Sequence, residues 1–395
     1  MTIPPQKPQG FKLDRMKSVR RMKNPRIEKM QELVYKIKEA DYKVDIFEAN
    51  QLTAGFALPF VGIHIFQTST FLDTYQIDLE VLEHFLEKVH LGYGLNKNPY
   101  HNSIHGADVM YTVFTFFKRS SRLQDELSTL DSLSTILAAC VHDLKHNGRN
   151  NAFHVKHATN LALIYNDSSP LENMHVSETF RILQQDESNI LKSLSKVDYG
   201  TVRKNMVCSL AVCFRHLVCV SLSLSSHVYY LQQQQQQIVS ILATDMASHF
   251  NHIADFQAKM KAEHHDGEPL VPHDLVLEMC LHVADISNAT KTTSIYRRCA
   301  ENVMEEFFQQ GDVEKDEGET VIQMFDRDTV DMQKSQGGFI DYIVRPTFEA
   351  WGEYLHEMRD TFMKNLDANR HIDWSDFKPL KRGEWKEEET QEELH

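Results

Sequence analysis

Residues 138–150 read AACVHDLKHNGRN and hold two histidines and an aspartate, His142, Asp143 and His146. An adjacent His-Asp pair offers a divalent metal one neutral nitrogen and one anionic oxygen. On a helix, His146 would lie one turn beyond His142 on the same face. A lone pair of this kind arises by chance in a long chain, so its weight depends on other segments with ligand-type residues. Two exist. Residues 98–108, NPYHNSIHGAD, place His101 and His105 at i, i+4, the spacing of one helix face, with Asp108 a turn further. Residues 281–288, LHVADISN, place His282 and Asp285 at i, i+3.

A single histidine on an apolar face is usually a structural residue satisfied by hydrogen bonds. An unpaired carboxylate in a stretch as apolar as that around Asp285 is costly. Three such clusters make separate structural explanations uneconomical, and a metal-dependent hydrolase is the chemistry they fit. Two divalent ions can share a bridging water, lower its pKa and clamp phosphoryl oxygens. Neighbouring helical residues point about 100° apart, so His142 and Asp143 need not serve one ion alike. Asp143 is the better candidate to bridge both, and a histidine outside the ligand set could protonate a leaving alkoxide.

Helices must position these groups. Leu79, Leu82, Leu86 and Val89 recur at helical spacing behind a capping Asp78. Only 15 glycines occur, and no proline lies between Leu171 and Glu268, so long helices run unbroken. Asp274 is placed to cap a helix through LVLEMCLHVAD. No alternating run marks a sheet. The sequence predicts an all-α fold, a compact multi-helix bundle whose facing helices bring the three segments into one dinuclear metal site in a deep pocket.

Composition is that of a soluble protein, with 42% hydrophobic and 25% charged residues. A net charge of −14 argues against nucleic-acid polymers and anionic lipid as partners. The six cysteines show no paired spacing and no CxxC, and residues 1–10 lack the apolar core of a secretory signal, so a cytoplasmic location is expected. Residues 1–39 form a basic lead-in, with nine Lys/Arg against two acids in the first thirty. Residues 40–370 form the main domain, and 371–395 an acidic tail. Residues 206–231 are apolar enough to raise the question of a membrane span, but Arg215 and His216 split them and serine is frequent.

NPYHNSIHGADV, ACVHDLKHNG, LALIYNDSSPLEN, ILATDMASHF, VADISNATK, MEEFFQQGD and SQGGFIDYIVRP, together with FVGIHIFQ, resemble the catalytic domain of class I cyclic nucleotide phosphodiesterases. The motifs stand in family order over residues 40–365 and are most similar to the cAMP-specific group. The resemblance implies hydrolysis of the 3′ phosphoester of a cyclic nucleotide, cAMP favoured over cGMP, to the 5′-monophosphate by a metal-bridging hydroxide. It implies His105, His142, Asp143 and Asp285 as zinc ligands, with Asp143 also on a second ion, Mg2+ or Mn2+. It implies His101 as the general acid, and Glu172 and His146 as holders of the water network. For the purine pocket it implies Gln336 on the base edge, Phe339 and Val303 as the apolar clamp, and Asn288 and Tyr100 as further contacts.

Three departures stand out. Lys145 occupies a position where the family carries an acid, a cost beside two metal ions unless it points away or pairs. Met174 replaces a histidine. About thirty residues near 206–236 are inserted ahead of the ILATDM helix, an atypical length for a compact bundle. Two other functions fit the motifs less fully: a catalytically silent cyclic nucleotide-binding protein, and a metal-dependent phosphohydrolase of another nucleotide.

Overall fold

The computed structural model describes residues 25–210, 237–262 and 271–385. Most of the 206–236 insertion, the basic stretch ahead of Pro25 and the end of the acidic tail lie outside the described residues. The described residues contain no β-strand. The helices in chain order are α1 (Pro25–Lys38), α2 (Ile46–Leu52), α3 (Ala57–Thr68), α4 (Phe71–Thr74), α5 (Leu79–Tyr93), α6 (Ser103–Arg119), α7 (Ser121–Glu126), α8 (Thr129–Val141) and α9 (Asn151–Lys156). There follow α10 (Asn160–Ile164), α11 (Pro170–Leu183), α12 (Lys196–Leu210), α13 (Gln237–Lys261), α14 (His273–Asp285), α15 (Thr293–Asp316), α16 (Met332–Gly338), α17 (Arg345–Tyr354) and α18 (His356–Arg370). No helix among the described residues is long and apolar enough to cross a membrane.

The bundle is built around α6. Every residue from His105 to Phe117 is buried, the signature of a helix enclosed on all sides rather than one lying on a surface. Its start is fixed by Asn102, whose side chain accepts from the N–H groups of Ile104 and His105. Packed on α6 are α3, α8 and α14. A capping box from Ser128 and Asp131 opens α8, and Asp78 caps α5 as its sequence requires. Helix α14 begins one residue before Asp274, with Pro272 at the cap position. Asp274 therefore sits in the first turn, where its charge suits the helix dipole without serving as the cap. Behind these helices Trp351 stacks on Tyr354 and meets Phe116 and Phe256, tying α17, α6 and α13 together. Leu33 and Ile37 of α1 are buried in the same core, as is Trp374 beyond α18.

The consequence for function is geometric. His105 lies in the first turn of α6, His142 caps the C-terminus of α8, and Asp285 ends α14. Three core helices point their ends at one place.

Candidate metal centre and nucleotide pocket

Two histidines and two aspartates converge where those ends meet. His105 Nε2 and His142 Nε2 are 3.0 Å apart. Asp285 Oδ1 lies 3.1 Å from the first and 3.4 Å from the second. Asp143 Oδ2 lies 3.1 Å from His142 Nε2 and 3.4 Å from His105 Nε2. His142 Nδ1 donates to the Ala139 carbonyl at 2.9 Å, which leaves the Nε2 lone pair free to face the cluster. Four convergent nitrogen and oxygen donors within 4.8 Å of one another fit a divalent metal.

The electrostatics of the cluster favour positive charge at its centre. Burial disfavours charge on His142, yet Asp143 and Asp285 outweigh it and hold the imidazole well above its ordinary range. Burial likewise opposes ionisation of Asp143 and Asp285, but the facing histidines drive both carboxyls well below the usual carboxylate range. Asp285 is enclosed by protein on the ligand side and opens on the cavity side, where 42% of its side chain remains accessible.

The Asp143 carboxylate faces two ways. Oδ2 meets the ligand cluster, while Oδ1 lies 3.7 Å from His175 Nε2 on α11. His175 Nδ1 donates to the Leu144 carbonyl at 2.6 Å, and burial pushes its pKa down to about 4, so its Nε2 carries a lone pair. Asp143 N–H donates to the Tyr93 hydroxyl at 3.2 Å, an approach that Gly106 permits, since a Cβ there would meet the Tyr93 ring at 2.9 Å.

His101 does not share a helix with His105. Helix α6 starts at Ser103 because Asn102 claims its first amides, so His101 stands on the approach to the helix, with its ring 5.6 Å from that of His105. A second group then forms from His101, His146 and Glu306. Glu306 Oε1 binds His101 Nδ1, and Oε2 accepts from the N–H groups of Tyr100 and His101 at 3.0 Å each. His101 Nε2 is left 3.9 Å from Asp143 Oδ2. Burial opposes its charge, but Glu306 and Asp143 prevail and raise it to about 9; burial also opposes charge on Glu306, which His101 brings down to about 2.

His146 likewise leaves the face of His142. Helix α8 ends at Val141, residues 142–145 turn, and His146 Nδ1 accepts from Gly148 N–H at 3.0 Å. Burial and the neighbouring His101 push it down to about 3. Glu172 is held by Asn151 Nδ2 at 3.0 and 2.9 Å. His282, paired by spacing with Asp285, turns away from the cluster to His249 Nδ1, 2.7 Å off. Asp108 also faces elsewhere and binds the buried Lys291 ammonium at 3.2 Å.

A cavity of about 680 Å³ opens beside the metal cluster, and Tyr100, His101, Asp285, Asn288, Val303, Gln336 and Phe339 all line it. Asn288 Nδ2 donates to the Tyr100 hydroxyl at 2.7 Å. Gln336 Oε1 accepts from the Tyr296 hydroxyl at 2.8 Å, which fixes the buried amide at the end of α16. Phe339 follows at the head of a π-helical turn, Phe339–Val344, a distortion often found at functional sites.

Glu306 and His175 escaped the sequence reading. The EE of MEEFFQQGD served there only as a likeness, and the Glu172–His175 spacing of i, i+3 was the available signal for the second.

Comparisons with known proteins converge on one family. The chain matches the family described as 3′5′-cyclic nucleotide phosphodiesterase over residues 100–212 and 208–366, in two segments that meet inside the sequence-flagged insertion. It is 34% identical over 312 residues to the Caenorhabditis elegans protein named "Probable 3′,5′-cyclic phosphodiesterase pde-1", covering 79% of this chain and 41% of that one. It is 35% identical over 304 residues to the human "Dual specificity calcium/calmodulin-dependent 3′,5′-cyclic nucleotide phosphodiesterase 1B", covering 77% of this chain and 50% of that one. This chain therefore spans half or less of the length of these relatives. In fold it is similar to the phosphodiesterase domain of the RhoPDE fusion protein from the choanoflagellate Salpingoeca rosetta, with TM-score 0.65 and 24% identity over 79% of this chain and 88% of that one. It is also similar to LmjPDEB1 solved in complex with IBMX, with TM-score 0.69 and 24% identity over 84% of this chain and 90% of that one. With the family match spanning more than half of its length, the chain belongs to the 3′5′-cyclic nucleotide phosphodiesterase family.

Proposed function

We propose that this chain hydrolyses the 3′ phosphoester of a 3′,5′-cyclic purine nucleotide to the 5′-monophosphate. The observation that carries the reading is the four-donor cluster opening onto a cavity with His101 at its edge and Gln336 and Phe339 along its wall. His105, His142, Asp143 and Asp285 would hold the first ion, with zinc favoured by the donor set. Asp143 would also serve a second, magnesium or manganese, with Glu172 and His146 helping to order water. Divalent ions held there would supply an activated water and offset the phosphodiester's negative charge. In the net reaction a P–O bond to water forms and the P–O3′ bond breaks. His101 gives its Nε2 proton to O3′, while Glu306 on Nδ1 keeps the ring oriented and charged.

The base lies between Val303 and Phe339, with Tyr100 and Asn288 contributing polar contacts and Gln336 reading its edge. Motif likeness favours cAMP. The Tyr296 hydroxyl can also accept from a Gln336 amide turned over, so the pocket takes cGMP as well, with cAMP preferred. The electrostatic ground for a silent binding protein weakens, because Lys145 pairs with Glu178 instead of facing the metal cluster alone.

The test is hydrolysis of cAMP and cGMP by the purified chain with magnesium, with and without a strong chelator. Chelator-sensitive formation of the 5′-monophosphate, faster with cAMP, is expected. Metal-dependent binding without turnover would replace the enzyme with a binding protein, and a higher specificity constant for cGMP would reverse the base preference.

A further inference from the structure

Helix α11 grips the turn that carries Asp143 with two side chains spaced i, i+3. His175 donates to the Leu144 carbonyl and faces Asp143 Oδ1. Glu178 Oε2 binds the Lys145 ammonium, while Oε1 accepts from Arg181 Nη1 at 2.6 Å. Lys145 needs such a hold, because its φ is +66°. Left-handed backbone crowds the Cβ of any L residue other than glycine. Lys145 also places a cation two residues from a carboxylate that belongs to the metal cluster. Its side chain is 35% accessible and that of Glu178 14%, so the pair lies partly out of water, where charge left uncompensated acts strongly on its neighbours. On the far side the turn is seated against α5: Leu144 fills the space where a Cβ on Gly92 would come within 2.5 Å.

We infer that Glu178 is a positioning residue for metal binding, latching Lys145 to α11 so that the 143–145 turn presents Asp143 and the ammonium's charge is cancelled. The inference deepens the metal-dependent reading above and rests on its assignment of Asp143 as a ligand. It concerns only residues of this chain. The latch does two separable things, holding a left-handed backbone and neutralising a cation, and glycine at 145 dispenses with the need for both.

The experiment titrates the purified protein with manganese, reading free Mn2+ by electron paramagnetic resonance, with thermal unfolding as the check on folding. Glu178→Gln, which keeps the shape and leaves Lys145 uncompensated, is expected to weaken manganese binding about tenfold. Lys145→Gly alone should bind within about twofold of the unaltered chain, since glycine takes positive φ freely. The K145G/E178Q double variant should regain the affinity that E178Q loses. Unchanged affinity in E178Q, a double variant as weak as E178Q, or no manganese uptake by the unaltered chain would each overturn the inference. Manganese uptake without cyclic nucleotide hydrolysis would remove the phosphodiesterase reading and leave the latch to be judged on these affinities alone.

Discussion

Glu306 holds residue 101 by both backbone and ring: one carboxylate oxygen accepts the N–H of His101, the other binds its Nδ1. The residues are separated by 205 positions in the chain, so α15 sets the orientation of a group that stands outside any helix. Because the carboxylate raises His101 to about 9, against burial, its removal must let that value fall. Glu306→Gln is therefore expected to lower kcat by about 10- to 100-fold and to move the alkaline limb of the pH–rate profile to lower pH. Metal content by elemental analysis should stay unchanged, since Glu306 is not among the four convergent donors.

Removal of one cluster carboxylate should leave two facing histidines with only one of their two counter-charges. Asp285→Ala is expected to lose the first metal and its activity together, read by elemental analysis and by turnover. A ligand that binds only the folded state stabilises it by mass action, so a strong chelator should lower the Tm of the unaltered chain by about 2–4 °C. The Asp285→Ala protein should show no such drop.

Gln336 is anchored by the Tyr296 hydroxyl. Gln336→Ala should cost about 10- to 100-fold in kcat/KM for cAMP, the scale of a lost base-edge hydrogen-bond pair. Tyr296→Phe should cost less and weaken both substrates alike, because the amide loses a partner that serves it either way round. Steady-state kinetics on both substrates reads each effect.

Lys291 is wholly buried, bound to Asp108 and to Thr112 Oγ1 at 2.7 Å, and lies over the Tyr42 ring. Removing one member of such a pair leaves a bare charge in the core, at a cost of about 3–5 kcal/mol. Lys291→Met should therefore lower the Tm markedly, and adding Asp108→Asn should recover a large part of the loss.

Acid should destabilise the protein through histidines outside the metal cluster. Burial pushes His64 and His90 down to about 4, and neither buried Nδ1 has a hydrogen-bond partner. The unfolded chain binds protons at these residues near pH 6.5, before the folded one does. Their contribution is thus complete above pH 6.5 and is lost as pH falls towards 4, at about 2 kcal/mol each by pH 5. Urea midpoints at pH 7 and pH 5 measure the loss, and His64→Leu should reduce it.

The clustered donors were legible because each motif is local: His105, His142, Asp143 and Asp285 announce themselves within short runs, and the helices that carry them follow from apolar spacing. Their partners were hidden by distance along the chain. Nothing near His101 reveals Glu306, nothing near Lys145 reveals Glu178, and Asp108 looks like a ligand until Lys291 arrives from the far side of the fold. The i, i+4 spacing also misled at His101 and His146. A cap at Asn102 and a helix end at Val141 place both outside the helices that spacing assumes.

The π-helical turn Phe339–Val344 gives the pocket wall an unusual tolerance to change in length. A π turn is an α-helix carrying one residue more than its hydrogen-bond ladder needs, so the stretch holds a spare position. Loss of a single residue within 339–344 would draw the ladder back to ordinary α, short of the bond that Pro346 cannot donate, and keep α16 continuous with α17. The same loss a few positions earlier would rotate Gln336 by about 100°, away from Tyr296. Shortening by one residue is therefore survivable on one side of Phe339 and ruinous on the other, which gives this wall of the pocket a built-in place for its length to vary.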